Sequence, residues 1–279
     1  QKDLVSMHPR HGIMNIDVLS FARLAYRVFE ETGTKQMQVL DDEGKNLILR
    51  KIAGDYENKL TVLKGNIKKL GYISEVKSVI SEFTQYDIGE EELDDMIDSL
   101  DEESRLYYKL KDIRLLYDGF QDYLRERYIT KEELLDVLSR EVRESELLKN
   151  STVVLDGFTG FTPVQNRLIL ELMKYCKGVW ITVIMDEREN PYSYRHPYQL
   201  FGLSKQMVTT LISLAREEHI AVEEPVCLYG YPVKRFEKNQ ELAFLERNIF
   251  RYGAGRYDKA VENLEIHTAG NPRQEADAV

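Results

Sequence analysis

The run Val153-Val-Leu-Asp-Gly-Phe-Thr-Gly-Phe-Thr-Pro-Val-Gln165 narrows the possible folds more than any other stretch of this chain. Three apolar residues end in an acid, a turn rich in Gly and Phe follows, and Thr162-Pro163 suits the N-cap and first turn of a helix. That is a buried strand, a loop and a helix, the repeating grammar of α/β folds. An acid at the tip of such a strand is also where nucleotide-binding α/β proteins place the aspartate that holds Mg²⁺ through water. The next position, where a glutamate would orient the attacking water, is Gly157. Asp156 therefore marks either a nucleotide site without its catalytic acid or the end of an ordinary strand.

Periodicity divides the rest into two kinds of structure. Residues 15–19 read as a short strand, after which Ser20 caps a helix with Phe21, Leu24, Ala25 and Val28 on one side and Gly33 at its end. From about 41 to 148 the pattern is helical, about five helices in all. Ile73, Val76, Ile80 and Phe83 form one apolar stripe, and Leu106, Leu110, Ile113, Tyr117, Phe120 and Leu124 a longer one. Thr130 and Glu133 make a capping box ahead of Leu134, Leu138 and Val142. Beyond 150 the pattern alternates: buried strands at 152–155 and 179–184, strand-like stretches at 220–222 and 264–267, and helices at 163–175, 204–218 and 238–250. Such alternation predicts a mostly parallel sheet. A strand near residue 16 joins it only if the helical block is an insertion. The expected domains are 1–40, part of the α/β core; 41–148, the helical insertion; 149–260, the rest of the core; and 261–279, the start of a second motor-like domain.

Charge is unevenly spread. Residues 87–148 hold 20 Asp plus Glu against 9 Lys plus Arg, while the whole chain has a net charge of −10, so the remainder is close to neutral. The acidic block reads as a solvated helical surface, and phosphate contacts must come from elsewhere. No run of about 18 apolar residues is present, which argues against a membrane span. The chain opens on Gln1 without a charged-then-apolar leader, and its two cysteines, Cys176 and Cys227, are too few for a four-ligand metal or iron–sulfur site. A reduced, cytoplasmic setting is the expectation.

Three segments in order carry a family resemblance. Asp17-Val-Leu-Ser-Phe-Ala-Arg-Leu-Ala-Tyr-Arg27 is similar to the segment of UvrD-like superfamily 1 helicases in which a Thr-Phe or Ser-Phe pair opens a helix near DNA. The Asp156 segment resembles their Asp-Glu-Phe-Gln-Asp-Thr-Asn-x-x-Gln motif, with Asp156, Phe158, Thr162 and Gln165 in register. With Ala269-Gly-Asn-Pro-Arg-Gln-Glu275, these segments resemble the N-terminal part of the B subunit of AddAB (RexAB) helicase–nucleases. A weaker likeness, Met185-Asp-Glu-Arg-Glu-Asn-Pro-Tyr-Ser-Tyr-Arg195, aligns Arg195 with a residue that couples nucleotide state to DNA, although Glu189 stands where those helicases have Gln.

The resemblance implies a RecA-like P-loop NTPase core with a large helical insertion. It also implies a subunit of an ATP-dependent helicase/exonuclease that repairs double-strand breaks by recombination, in a heterodimer with the A subunit and in contact with single-stranded and duplex DNA. Phe21, Arg23, Tyr26, Phe158 and Phe161 become DNA contacts at a recombination hotspot, and Asp156, Gln165 and Arg195 vestiges of a nucleotide and Mg²⁺ site. The ATP/Mg²⁺ and 4Fe–4S cluster of the family have no place in this chain: no Gly-x-x-x-x-Gly-Lys-Ser/Thr occurs in it, and the nuclease acids and cysteine ligands are absent. The chain thus reads as an internal piece of a longer protein. Three functions stay open: a motor-inactive module that holds single-stranded DNA, an active ATPase, and a scaffold that docks the partner through the acidic helices. Taken from the residues alone, Phe21 fits a core position, and Arg23 and Tyr26 an exposed pair on one helix face.

Overall fold

The structure, a computed structural model, describes residues 2–34, 38–67, 69–125, 127–253 and 255–278. It is a mixed α/β protein, mostly helical, with two small parallel sheets. Two compact units divide it, Gln1–Val222 and Glu223–Val279.

The first unit opens with α1 (Lys2–Met7) and then departs from expectation, because residues 15–19 are not a strand. No neighbouring strand takes up their backbone groups, so Ile16, Val18 and Leu19 stay exposed. Asp17 instead pairs with Arg27 at 2.6 Å. Helix α2 (Phe21–Thr32) starts where its cap says it should: the Ser20 hydroxyl accepts from the Arg23 backbone N–H at 3.4 Å, and Gly33 closes the helix at φ 70°.

Next comes a pairing with no periodic signature. Strand β1 (Gln38–Leu40) lies parallel to β2 (Tyr128–Thr130), with Val39 opposite Ile129. Between them run α3 (Asp42–Asp55), α4 (Leu70–Gln85), α5 (Glu90–Asp98) and α6 (Arg105–Leu124). These helices share one core, in which Leu49, Ile52, Ile73, Ile80, Leu93, Leu116 and Phe120 are buried. Both stripes read from the sequence face it, except that Leu106 at the start of α6 is half exposed. Among the described residues of 56–69 there is no regular helix. They are ordered by Asp112, which is 2% exposed and accepts the backbone N–H groups of Thr61, Val62 and Leu63 at 2.7–2.8 Å.

The chain returns through β2 into α7 (Lys131–Glu141), capped by the expected Thr130/Glu133 box. Helix α7 then joins a second core with α2 and the later helix Pro163–Tyr175, made of Ala25, Val28, Leu134, Leu138, Val142, Leu168 and Leu172. A buried ion pair ties the two cores. The ammonium of Lys45 on α3 meets Glu132 on α7 at 2.7 Å and the Ser81 hydroxyl on α4 at 3.2 Å. After α8 (Glu146–Lys149) come β3 (Thr152–Leu155), α9 (Pro163–Tyr175), β4 (Gly178–Ile181) and α10 (Gly202–Glu217).

Strands β3 and β4 are parallel, with Val154 opposite Trp180 and Leu155 opposite Ile181. Val153, Leu155, Val179 and Ile181 face α9 and α10, where Leu155, Ile169, Met207 and Leu211 are buried. The expectation of strands buried on both faces is corrected here: Val154 is 61% and Trp180 52% exposed. The second strand also ends at Ile181, and residues 220–222 and 264–267 form no strand. Without a neighbouring strand to bond, extended segments have no ladder to join. The second unit contains α11 (Gln240–Asn248) and α12 (Pro272–Ala278). Its inner contacts include the Arg247 guanidinium over the Tyr231 ring, the Phe244–Tyr257 pair, and the Glu241 carboxylate accepting the Glu262 and Asn263 N–H groups at 2.8 Å. Among the described residues no helix is long and apolar enough to cross a membrane.

Candidate nucleic-acid interface

The candidate site lies where the N-terminus of α2 meets the turn after β3. The 3.6-residue period of α2 sends Ala25, Val28 and Phe29 into the core and leaves Ala22, Arg23, Tyr26, Arg27 and Glu30 on the solvent side. Phe21, at the first turn, lies between the two sets and is half-buried. Its ring centre is 5.7 Å from that of Phe158, which is 4.9 Å from Phe161. These are ordinary distances for tilted aromatic pairs. The three rings make one cluster at the rim of the second and third cores.

Gly157 lets the turn leave β3 sharply. Its φ of +80° lies in the left-handed region that side chains with a Cβ disfavour, and open space surrounds the position. At the strand tip the Asp156 carboxylate accepts from the Thr182 hydroxyl at 2.6 Å. The same hydroxyl accepts the Gly157 N–H at 3.2 Å, and the Thr182 N–H bonds the Leu155 carbonyl at 3.0 Å. Thr182 thus pins the end of β3 to the chain leaving β4. No motif in the sequence marks it, although a hydroxyl one place beyond a strand end in a parallel pair is positioned for such a bond.

The structure brings Phe21, Phe158 and Phe161 together, with Arg23 and Tyr26 on the exposed side of the same helix. Tyr26 is 42% exposed, and among the described residues Arg23 forms no ion pair. Gln165 has another occupation: its side-chain oxygen accepts the Thr162 N–H at 3.0 Å while the Thr162 hydroxyl accepts its own N–H, which closes a capping box at the start of α9. Arg195 sits in an exposed turn, where its N–H bonds the Gln199 side chain at 3.0 Å. Among the described residues no hydrogen bond or ion pair joins it to Asp156.

Chemically the site offers three half-buried phenylalanine rings, the exposed Tyr26 ring, a guanidinium and one carboxylate. A Mg²⁺–nucleotide needs a phosphate cradle besides its carboxylate. Asp156 and Thr182 fit the carboxylate part alone, since the sequence carries no phosphate loop and the neighbour of Asp156 is Gly157. Among the described residues no group of three or more His, Cys, Asp or Glu is placed to hold a metal ion.

Comparison with known proteins supplies the family. The model of the family described as ADDB, N-terminal, matches residues 1–246. Proteins named as the B subunit of an ATP-dependent helicase/deoxyribonuclease match all or nearly all of the chain. The one from Lachnoclostridium phytofermentans is 41% identical over 99% of it. Those from Clostridium kluyveri and Caldanaerobacter subterraneus subsp. tengcongensis are each 34% identical over 100% of it. The chain spans about a quarter, 24%, of the length of these relatives. With a family match over most of its length and end-to-end similarity to these relatives, the chain belongs to the ADDB N-terminal family.

Proposed function

We propose that this chain is the helicase-like portion of the B subunit of an ATP-dependent helicase/deoxyribonuclease, and that its own task is to hold single-stranded DNA without hydrolysing ATP. The observation that carries the reading is the Phe21–Phe158–Phe161 cluster at the carboxyl end of a parallel strand, the end where α/β folds place ligands, flanked by exposed Arg23 and Tyr26. Unpaired bases stack on such rings at about 1–3 kcal/mol each, and Arg forks onto a phosphate or a base edge. The unit β3–α9–β4 is read as part of a RecA-like core, 41–148 as its helical insertion, and 261–279 as the start of a second motor-like domain. ATP, Mg²⁺ and the iron–sulfur cluster act elsewhere in the complex. The partners are an A subunit in a heterodimer and the single-stranded and duplex DNA of a broken end, with recombination-hotspot recognition at the aromatic turn, in the cytoplasm.

Motor inactivity is supported by Gly157 at the place of the water-orienting acid. Loss of a catalytic acid alone costs about 10²–10⁴ in rate. The test is fluorescence anisotropy of labelled single-stranded DNA at low and moderate salt, with an Arg23→Ala/Phe158→Ala double variant alongside. Saturable binding lost in a double variant that keeps its helical circular dichroism supports the reading. Unchanged binding by that variant removes the aromatic turn from the interface, and DNA-independent assembly with the A subunit would then favour a scaffold.

A further inference from the structure

A second feature lies wholly within the helical block. Where α3 and α6 end side by side, a cleft of about 620 Å³ opens between Lys51, Tyr56, Gly119, Tyr123, Arg125 and Arg127. Its volume falls in the range of small-ligand sites, about 300–1,000 Å³. Gly119 makes it possible: a Cβ there would lie 2.7 Å from the Tyr56 ring and 2.8 Å from Ile52, so any larger residue would push the helices apart.

The charges around this cleft run against the block that contains it. Residues 50–69 hold six Lys or Arg and two Asp or Glu, ahead of the acidic stretch 87–148, and of these Lys51 and Asp55 line the cleft. Arg125 and Arg127 are two of the nine basic residues of 87–148, and they gather at this cleft. Of the two lining carboxylates among the described residues, Asp122 is paired with Arg125 at 3.1 Å. Among the described residues Lys51 and Arg127 have no carboxylate partner. Lys51 lies over the Tyr123 ring at 5.1 Å, and Lys59 over the Tyr56 ring at 4.9 Å. A single cation at each helix end would balance the carbonyls of α3 and α6. Four cations and two tyrosine rings exceed that need.

We propose that this cleft is a second nucleic-acid site, which takes single-stranded nucleic acid: phosphates at Lys51, Arg125 and Arg127, and a base against Tyr123 or Tyr56 in place of the lysine now covering it. Duplex keeps its bases stacked inside and offers the tyrosines nothing. The inference rests on the reading of the chain as one that holds DNA, but on none of the residues of the aromatic turn. It gives a strand two points of attachment on the same unit, one on each of its two larger cores.

The test is a salt titration of single-stranded oligothymidylate binding, read by anisotropy, for the unaltered chain, Arg125→Gln/Arg127→Gln, Tyr123→Leu and Phe158→Ala, each checked for an unchanged unfolding midpoint. The log–log salt slope of the arginine variant should be shallower by about 1.4, two phosphate contacts at about 0.7 each. Tyr123→Leu should weaken binding by about fivefold or more, the loss of one base stack. Slope and affinity unchanged in both cleft variants would overturn the proposal, and if Phe158→Ala alone lost binding, the aromatic turn would stand without it. Loss in the cleft variants with Phe158→Ala unaffected would keep the cleft and remove the turn. No binding by the unaltered chain at low salt, or equal competition by duplex or by polyglutamate, would also overturn it.

Discussion

Removing Glu132 should be among the most damaging single changes outside the apolar cores. The Lys45 side chain is 2% exposed and that of Glu132 12%, and their 2.7 Å contact joins α3 of one core to α7 of the other. In Glu132→Ala the ammonium keeps only the Ser81 hydroxyl at 3.2 Å as a partner and stays out of water. Breaking a buried pair from one side costs about 3–5 kcal/mol, a third or more of the ~5–15 kcal/mol that holds a typical domain together. Replacing both partners, in Lys45→Met/Glu132→Met, removes the stranded charge together with the attraction. That double variant should lie within about 1 kcal/mol of the parent or be more stable.

The same pair sets a pH arm for the experiment. Burial pushes the Glu132 carboxyl up, but the hydrogen bond and charge of Lys45, with backbone and Thr130 donors, bring it net below its usual 4.5. A folded-state value below the unfolded one stabilises the fold above about pH 4.5, and that contribution is lost as pH falls through the lower folded value. Urea unfolding followed by helical circular dichroism, at pH 7 and at steps down to pH 3, measures all of this. The parent should lose stability below pH 4.5 more steeply than the double methionine variant. The reasoning is refuted if Glu132→Ala costs less than about 1 kcal/mol, or if the double variant falls as far as the single.

Other outcomes follow from the same geometry. Asp112→Ala strands three backbone N–H groups now held at 2.7–2.8 Å, and should cost about 3 kcal/mol or more in urea unfolding. Losses should appear first as faster amide exchange over residues 60–67. Gly157→Glu puts an acid beside Asp156, at a φ of +80° where a side chain costs roughly 1–2 kcal/mol. It should lower the melting temperature and give no ATP hydrolysis, because the phosphate cradle is still missing; steady phosphate release would contradict the motor-inactive reading. Burial pushes the Cys176 thiol up to about 11, whereas Cys227 is exposed. At pH 8 only about one Cys176 in a thousand is thiolate, so iodoacetamide should label Cys227 first and reach Cys176 on unfolding. Because the folded value is the higher one, the stabilisation from Cys176 is complete below its usual 9.0 and is lost as pH rises through about 11.

What the sequence disclosed was what neighbouring residues decide among themselves. The limits of α9, Pro163–Tyr175, follow from Thr162, Pro163 and the apolar period, and those of α2 from Ser20 and Gly33. A cap can be read because donor and acceptor are three residues apart. Nothing local announces that Lys45 will meet Glu132, 87 positions on, or that three residues at Gln38–Leu40 will pair with Tyr128–Thr130. Strands that short carry no period, and their stability comes from the partner. The same limit explains Asp112, which from the sequence belongs to a solvated acidic surface and in the structure is buried as the acceptor that shapes residues 61–63.

The candidate interface divides along that line too. Phe158 and Phe161 lie in the turn after a parallel strand, half-buried against the core of Leu155, Ile169, Met207 and Leu211, while the place of Phe21 depended on which element α2 packed against. The Phe21 ring is half-buried: it packs against the second core and lies 5.7 Å from the Phe158 ring. Gln165 went the other way. The motif it fits places a glutamine by the nucleotide, yet Thr162 three residues earlier is an equally good partner, and the cap takes it. A side chain already spent on its own helix end would have to surrender a backbone N–H to reach a ligand. Asp156 faces no such competition: among the described residues its carboxylate has only the Thr182 hydroxyl at the strand tip as a partner. The strand-tip bond and the helix cap are thus independent of each other: Thr182→Val frees the Asp156 carboxylate without touching the start of α9.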